Sequence, residues 1–159
     1  MSMTDVATDL RRTIDGATER LNTIPAERAR VPVAPGKWSP QEIIGHLVDS
    51  ASNNHGRFVR AQLTDDLFFP GYDQAEWVSV QQYSEADWSE LISLWRTFNS
   101  HIAHVVERIP QSIASQQRTR HNLDEIAWKT VPREQPVTLE YFVRDYVAHM
   151  KHHLAQIPA

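Results

Sequence analysis

The stretch WSELISLWRTFNSHIAHVVERI, Trp88–Ile109, indicates the fold class of this chain of 159 residues. Its apolar residues recur at steps of three and four, the period of an amphipathic α-helix. Ser84–Asp87 supplies the polar start of this helix, and Pro110 ends it. The apolar stripe comprises Trp88, Leu91, Ile92, Trp95, Phe98, Ile102, Val105, Val106 and Ile109. The segment therefore predicts a long helix with one buried face.

Three other segments have the same helical period, so the chain is expected to contain four long helices. They cover Thr4–Ile24, Pro40–Leu63 and Thr138–Ile157. The second opens with the capping-box pattern Ser39-Pro40-Gln41-Glu42. Four such helices predict an all-α four-helix bundle with at least one crossover, in a single domain spanning residues 1–159. An up-down-down-up order is one arrangement of this kind.

Two long connections separate these helices. Thr64–Tyr83 contains Pro70-Gly71 and several aromatic residues, and its length is typical of a binding loop or lid with room for a short helical turn. Residues 111–136 are polar and irregular, and a short strand pair or extended segments are expected around Ile126–Val131.

The composition excludes several classes of function. A net charge of −4 with 16 scattered basic residues disfavours nucleic acid as a partner. The chain has no apolar run of the roughly 20 residues that span a bilayer and no signal-peptide pattern, so we expect no membrane partner and a cytoplasmic location. Because there is no cysteine, thiolate ligands and a cysteine nucleophile are excluded, and a transition metal must be bound through imidazole or carboxylate groups.

Three of the eight histidines are candidate metal ligands. His149 and His153 lie one turn apart on the inward face of the last helix, and His152 projects to the opposite side, where we expect it to be solvated. His46 lies beside the apolar arc of the second helix and can supply a third imidazole from across the bundle. Three histidines would leave a coordination position open for water or substrate.

Each of these patterns has a structural alternative. His46 alone is compatible with a hydrogen-bonded core residue, and the polar stripe that contains Asp49 and Arg57 is compatible with a solvated helix face. His55 can be a packed or interface residue. We expect surface or boundary positions for the remaining histidines, His101, His104 and His121.

Two segments resemble the DinB-like superfamily, especially its YfiT-like metal-dependent hydrolases and bacillithiol-transferase relatives. They are GKWSPQEIIGHLVDS at residues 36–50 and YVAHMKHHLAQI at residues 146–157, with GYDQAEW at residues 71–77 as a similar aromatic loop. The resemblance implies an up-down-down-up four-helix bundle, usually dimeric, with a divalent ion held by three histidines. The matching positions in this sequence are His46, His149 and His153.

The leading functional hypothesis is a metal-dependent transferase that joins a low-molecular-weight thiol to a small electrophile. The divalent ion would be zinc or nickel, and a cysteine-free chain fits a reaction in which the thiol arrives as a small-molecule partner. Asp49 is the candidate to orient a ligand or accept the proton, and Arg57 to pair with an anionic group of the thiol. Tyr72, Asp73 and Trp77 are expected to close over the pocket.

Two alternatives stay open at this point. One is a metal-dependent hydrolase, in which water takes the open position and Asp49 is the general base. The other is a non-catalytic, dimeric metal-binding or stress-response module whose histidines are structural.

Overall fold

The computed structural model describes residues 2–158, and over that range it consists of helices joined by turns and loops, without a β-strand. The helices, in chain order, are α1 (Met3–Leu21), α2 (Ala26–Ala29), α3 (Pro40–Arg60), α4 (Gln74–Gln81), α5 (Trp88–Glu107), α6 (Gln111–Ala114), α7 (Leu123–Ile126) and α8 (Leu139–Leu154). A single 3₁₀ turn, Tyr83–Glu85, precedes α5. The four long helices α1, α3, α5 and α8 form the predicted bundle.

Side-chain caps start the long helices at the positions that the sequence indicates. At α3 the hydroxyl of Ser39 accepts the N–H of Glu42 at 3.2 Å, and the Glu42 carboxylate accepts the N–H of Ser39 at 3.1 Å. At α5 and α8 the caps consist of one hydrogen bond each. The side chains of Asp87 and Thr138 accept the backbone N–H of the third residue that follows. The predicted capping box at α3 is confirmed.

The helices end a few residues earlier than their apolar period predicts. α3 ends at Arg60, and the N–H groups of Gln62 and Leu63 then bond to carbonyls three residues back. α8 ends at Leu154, and the following turn through Ile157 has the same i→i+3 bonds. Because a tightened last turn keeps apolar residues on nearly the same face, the period alone does not show where the α-helix stops.

Contacts between helix ends give the direction of each long helix. The indole N–H of Trp88, at the start of α5, donates to the carbonyl of Ile24 just after α1 at 3.0 Å. Arg11 in α1 pairs with Glu107 at the other end of α5 at 3.0 Å. α1 and α5 are therefore antiparallel.

The other helix pairs follow from the same kind of contact. Gln41, at the start of α3, donates at 2.6 Å to the carbonyl of Ala86 just before α5, so α3 and α5 begin at the same end of the bundle. Arg20, late in α1, donates to the carbonyl of Leu154 at the end of α8, so α1 and α8 end together. With α1 taken as up, the order is up-down-down-up, as predicted.

The segment around Ile126–Val131 contains no strand pair, which corrects one of the two expectations for it. Leu123–Ile126 is a helical turn, and Ala127 after it is extended. The β-bridges in residues 2–158 are isolated and lie elsewhere, at Leu67 with His121 and at Arg118 with Val137. They join distant parts of the chain, so local sequence patterns do not show them.

The first long connection contains more helix than one short turn. α4 extends over eight residues, with the Asp73 carboxylate accepting the N–H of Glu76 at its start.

None of the helices within residues 2–158 combines the length and the apolar character needed to cross a membrane.

Candidate metal centre

Three histidines from two antiparallel helices meet at one end of the bundle. His46 lies in the second turn of α3, and His149 and His153 lie one turn apart near the end of α8. The Nε2 atoms of His46 and His149 are 3.4 Å apart. One ring nitrogen of each histidine can be chosen so that all three atoms lie within 4.8 Å of one another. The structure brings together the three residues that the sequence predicts as ligands.

The spacing and orientation of these rings suit a divalent ion. Two nitrogens bound at the zinc–imidazole distance of about 2.0–2.1 Å with tetrahedral geometry lie about 3.3 Å apart, close to the separation of His46 and His149. His153 Nδ1 lies 3.0 Å from the amide oxygen of Gln156, which favours the tautomer with hydrogen on Nδ1. That tautomer leaves the Nε2 lone pair of His153 available as a ligand. The donor set therefore fits an ion that accepts imidazole nitrogen, such as zinc or nickel.

The electrostatic environment keeps the three imidazoles neutral. Burial, assisted by the nearby His153, lowers the pKa of His46 to about 4. Burial also lowers the pKa of His149 to about 3, with smaller contributions from the neighbouring histidines. The pKa of His153 is lowered by burial as well. At neutral pH no proton has to be displaced from the ligand nitrogens before a cation binds.

Aromatic side chains cover the cluster on the α3 side. His46 is fully buried, and the Trp38 ring lies 5.0 Å from its ring, centroid to centroid. Behind the helix, the Tyr83 ring occupies the space next to Gly45, where a Cβ atom would lie 2.2 Å from a ring carbon. A glycine is required at this position because the ring takes the space of a side chain.

Asp49 lies one turn after His46 and belongs to a buried hydrogen-bond network. Its Oδ1 accepts the hydroxyl of Tyr83 at 2.6 Å and the amide of Gln81 at 2.8 Å. Burial raises the pKa of Asp49, and these two hydrogen bonds oppose that shift. Asp49 Oδ2 and His46 Nδ1 are both buried, and neither has a hydrogen-bond partner within residues 2–158. The sequence had suggested Asp49 but not its partners, Gln81 at the end of α4 and Tyr83 in the 3₁₀ turn.

A cavity of about 390 Å³ opens beside His149 and His153. Its other polar and aromatic wall residues include Asn54, Arg57, Tyr72, Trp128, Asp145 and His152. Asp49 does not line it. Trp128 approaches the cluster closely, with ring centroids 6.0 Å from His149 and 5.0 Å from His152. Two of the three candidate ligands, His149 and His153, thus border a space large enough for a small molecule.

Arg57, the second predicted site residue, lies on the wall of this cavity, two helical turns beyond Asp49. It is 5% exposed, and its Nη2 donates to the carbonyl of Pro70 at 2.8 Å. Tyr72 borders the same cavity and lies against Trp77, with ring centroids 4.8 Å apart. Of the three expected lid residues, Tyr72 lines the cavity, Trp77 packs against Tyr72 without lining it, and Asp73 instead caps α4.

Asp145 is a site residue that sequence reasoning missed. It lies on α8 one turn before His149, is 8% exposed, and accepts the backbone N–H groups of Trp128 and Lys129, each at 2.8 Å. The carboxylate therefore fixes the segment that carries the Trp128 ring over the cavity. The spacing of four residues places Asp145 on the same face of α8 as His149, and this could have been recognised in the sequence. Its contact with residues 128–129 joins distant parts of the chain, so no local pattern indicates it.

The remaining histidines are placed partly as predicted. His152 is exposed, although it contributes to the cavity rim. His101 and His104 are exposed, and His55 packs against Phe98. The expectation for His121 was wrong: it is 1% exposed, and its ring nitrogens bond to the carbonyl of Gln135 at 2.7 Å and the N–H of Leu123 at 3.1 Å.

Fold and cluster together define an up-down-down-up helix bundle with a candidate three-histidine metal centre. A family model described as the DinB superfamily matches residues 9–157. The chain belongs to the DinB superfamily, as its motifs had indicated.

Two comparisons relate the chain to the protein YfiT of Bacillus subtilis. A curated protein of strain 168, named "Putative metal-dependent hydrolase YfiT", is 24% identical over 126 residues, which cover 79% of this chain and 65% of that protein. The match thus spans just under two thirds of the relative's length. The solved structure of YfiT, described as "a probable metal-dependent hydrolase with an unusual four-helix bundle topology", aligns with a TM-score of 0.74 at 19% identity, covering 98% of this chain and 81% of the other. The structural match supports the fold.

Proposed function

We propose that the chain is a divalent-metal-dependent enzyme that transfers a low-molecular-weight thiol to a small electrophile. The observation that carries the proposal is the convergence of three neutral histidines, His46, His149 and His153, of which the last two line an open polar cavity. Zinc and nickel are the proposed ions because both accept imidazole ligands. A bound divalent ion would supply Lewis-acid chemistry that lowers the pKa of a small thiol.

The chain's own residues would position the reactants. The three histidines hold the site, and the amide of Gln156 sets the tautomer of His153. Asp49 is proposed as a positioning residue for His46, because their two unpartnered buried atoms lie on neighbouring turns of α3 and are complementary as acceptor and donor. Tyr72, which lines the cavity and is backed by Trp77, would exclude water that competes with the thiol.

The carboxylates near the cavity favour a thiol over water as the nucleophile. Asp145 holds two backbone N–H groups, and Glu125 pairs with Arg133 at 2.7 Å. Asp49 is occupied by Tyr83 and Gln81 and lies off the cavity wall. A thiol with a pKa of about 8.5 needs less help in losing its proton than water at about 15.7. Each of these carboxylates already accepts hydrogen bonds or forms an ion pair, so none is fully available as a general base. Such a site favours a thiol, which loses its proton more readily than water.

Hydrolysis is the second candidate, supported by the name of the curated relative. In that reaction water replaces the thiol, and a carboxylate has to accept its proton. Asp49 would have to act through Oδ2, because Oδ1 already accepts hydrogen bonds from Tyr83 and Gln81, and Asp49 does not line the cavity.

Three further proposals concern the setting of this site. The chain is proposed to form one domain over residues 1–159, to act in the cytoplasm without nucleic-acid or membrane partners, and to assemble as a homodimer. The dimer follows from the family resemblance. Multi-angle light scattering on the purified chain tests it directly, and a mass near 18.3 kDa would contradict it.

The enzymatic proposal is tested with protein expressed in zinc- and nickel-supplemented medium. We expect about one metal ion per chain and metal-dependent conjugation of monochlorobimane by small thiols. His149→Ala should lose both properties, whereas His104→Ala, at an exposed histidine outside the cluster, should retain them.

Two outcomes would contradict the proposal in different ways. Hydrolysis of nitrophenyl acetate by the metal-loaded protein, without any thiol-dependent conjugation, would favour the second candidate. A metal content near zero after expression in supplemented medium would contradict both metal-dependent reactions.

A further inference from the structure

Arg57 is a buried cation without a carboxylate partner. The residue is 5% exposed. Nη2 donates to the carbonyl of Pro70 at 2.8 Å, and Nη1 has a long contact of 3.4 Å with the amide oxygen of Asn54. No Asp or Glu oxygen within residues 2–158 forms an ion pair with it.

A buried guanidinium without a carboxylate partner is energetically unfavourable unless another negatively charged group balances its charge. Buried charges in proteins are normally paired, because transfer of an ion out of water is costly. Arg118 is also buried without an ion pair, but its guanidinium donates to the backbone carbonyls of Ala61, Thr64 and Ile113, whereas Arg57 donates to one carbonyl. Arg57 is thus a strong cation in a place where neutral groups alone contact it.

The neighbouring titratable groups do not supply the missing negative charge. Burial raises the pKa of Tyr72 to about 12, so Tyr72 is a neutral phenol beside the guanidinium at physiological pH. The Asp49 carboxylate is directed to Tyr83 and Gln81. Asp145, also on the cavity wall, is bound to backbone N–H groups of the segment after α7.

Arg57 is also held in place and borders the space beside the histidines. The carbonyl of Pro70 and the amide of Asn54 use part of its five N–H donors, which leaves others to contact a molecule in the cavity. The same cavity is bordered by His149 and His153. A ligand in it can thus contact the guanidinium and the histidine cluster together.

We propose that Arg57 is the docking site for an oxyanion, a carboxylate or a phosphate, carried by the molecule that occupies this cavity. The planar guanidinium matches both groups with paired N–H donors. The ligand class is therefore anionic, with its charge at the Arg57 side and its reactive group at the histidines. This assignment rests on the proposed function for the use of the cavity, but the binding itself requires no metal.

The test compares matched probes on the full-length protein after chelator treatment, at constant ionic strength. Acetate and acetamide have nearly the same shape and differ in charge, and inorganic phosphate distinguishes the second source of oxyanion. Binding is followed by NMR, through the Nε–Hε signal of Arg57 and through backbone amides around the cavity. We expect acetate and phosphate, but not acetamide, to shift these signals in a saturable way.

Three substitutions on the same helix distinguish binding at Arg57 from a general effect of positive charge. Arg57→Gln should weaken binding of the better oxyanion about tenfold or more, the range expected when a charge-assisted hydrogen bond is lost. Arg60→Gln removes an exposed arginine one turn later and should change binding by no more than about twofold. Arg57→Lys retains the charge, and we expect an intermediate affinity because paired donation is lost.

Equal shifts by acetate and acetamide, or equal affinities of wild type and folded Arg57→Gln, would overturn the proposal. If Arg57→Gln does not fold because the Pro70 contact is lost, the wild-type signals and Arg57→Lys decide. Oxyanion binding in a protein that shows no metal-dependent conjugation would refute the proposed function and leave the Arg57 site intact. Conjugation of neutral thiols without any oxyanion binding would refute the Arg57 site and leave the proposed function intact.

Discussion

Replacement of Gly45 by alanine tests whether the glycine between Ile44 and His46 is required by the packing of Tyr83. An alanine Cβ atom would lie 2.2, 2.3 and 2.7 Å from three carbons of the Tyr83 ring. The ring cannot move away freely, because the Tyr83 hydroxyl is bound to Asp49 and its carbonyl accepts the buried amide of Gln41 at 2.6 Å. Either the ring or α3 must shift.

The expected loss of stability combines opposing effects. Insertion of a methyl group into a packed site costs about 1–3 kcal/mol. Loss of the hydrogen bond to the Asp49 carboxylate adds about 1.5–3 kcal/mol, whereas alanine in place of glycine gains about 1 kcal/mol within a helix. We expect Gly45→Ala to lower the free energy of unfolding by about 1.5–5 kcal/mol.

Urea denaturation followed by circular dichroism measures this change, and Gly16→Ala is the matched control. Gly16 lies within α1, is exposed, and has no atom within 4 Å of an added Cβ. The same substitution there should raise stability by about 0.5–1 kcal/mol. The two alanines should thus act with opposite sign.

Removal of the tyrosine ring provides the decisive comparison. The three atoms nearest to a Cβ at position 45 all belong to the Tyr83 ring, so in a Tyr83→Ala background Gly45→Ala should become neutral or slightly stabilising. A loss below about 0.5 kcal/mol in the wild-type background would refute the steric reasoning. An equal loss with and without the Tyr83 ring would also refute it.

Three other predictions follow from the site. Metal-free protein should lose at least about 2 kcal/mol of stability between pH 7 and pH 5, because the folded pKa values of His46 and His149 are lowered to about 4 and about 3 and the unfolded chain takes up protons first. Urea titrations at both pH values check this, and a flat profile contradicts it. Asp145→Ala should release the backbone of Trp128 and Lys129 and accelerate tryptic cleavage after Lys129, whereas unchanged cleavage would show that other contacts hold this segment. Asp49→Asn should weaken zinc binding about 10–100-fold in competition with a chromogenic chelator, and unchanged affinity would exclude the positioning role.

The features that could be predicted from the sequence are those encoded within a few residues. The stripe from Trp88 to Ile109 shows α5, and the Ser39–Glu42 pattern shows the start of α3 because capping involves residues three apart. His149 and His153 could be assigned to one site because a spacing of four places both rings on the same helix face. Each of these inferences needs only the geometry of a single helix.

The parts that could not be predicted depend on contacts between distant segments. The burial of His121 follows from its bond to Gln135 and from its bridge to Leu67, which no local period indicates. Asp49 was recognised as a polar residue beside His46, but the Tyr83 hydroxyl that binds it comes from 34 residues later in the chain. That contact changes the interpretation of Asp49 from a free base to a positioning group.

The antiparallel direction of α3 and α8 explains how one cavity connects a metal centre with a cation. His46 near the start of α3 lies opposite the end of α8, where His149 and His153 are found. Further along α3, the Phe58 ring packs edge-on against Phe142 and Tyr146, with centroids 5.7 and 5.5 Å away. The aromatic packing joins the helices at that end, and the small or polar residues Ser50 and Asn54 leave space between it and the histidines. Since Arg57 immediately precedes Phe58, the contact that closes the bundle also places the guanidinium at the far wall of the cavity.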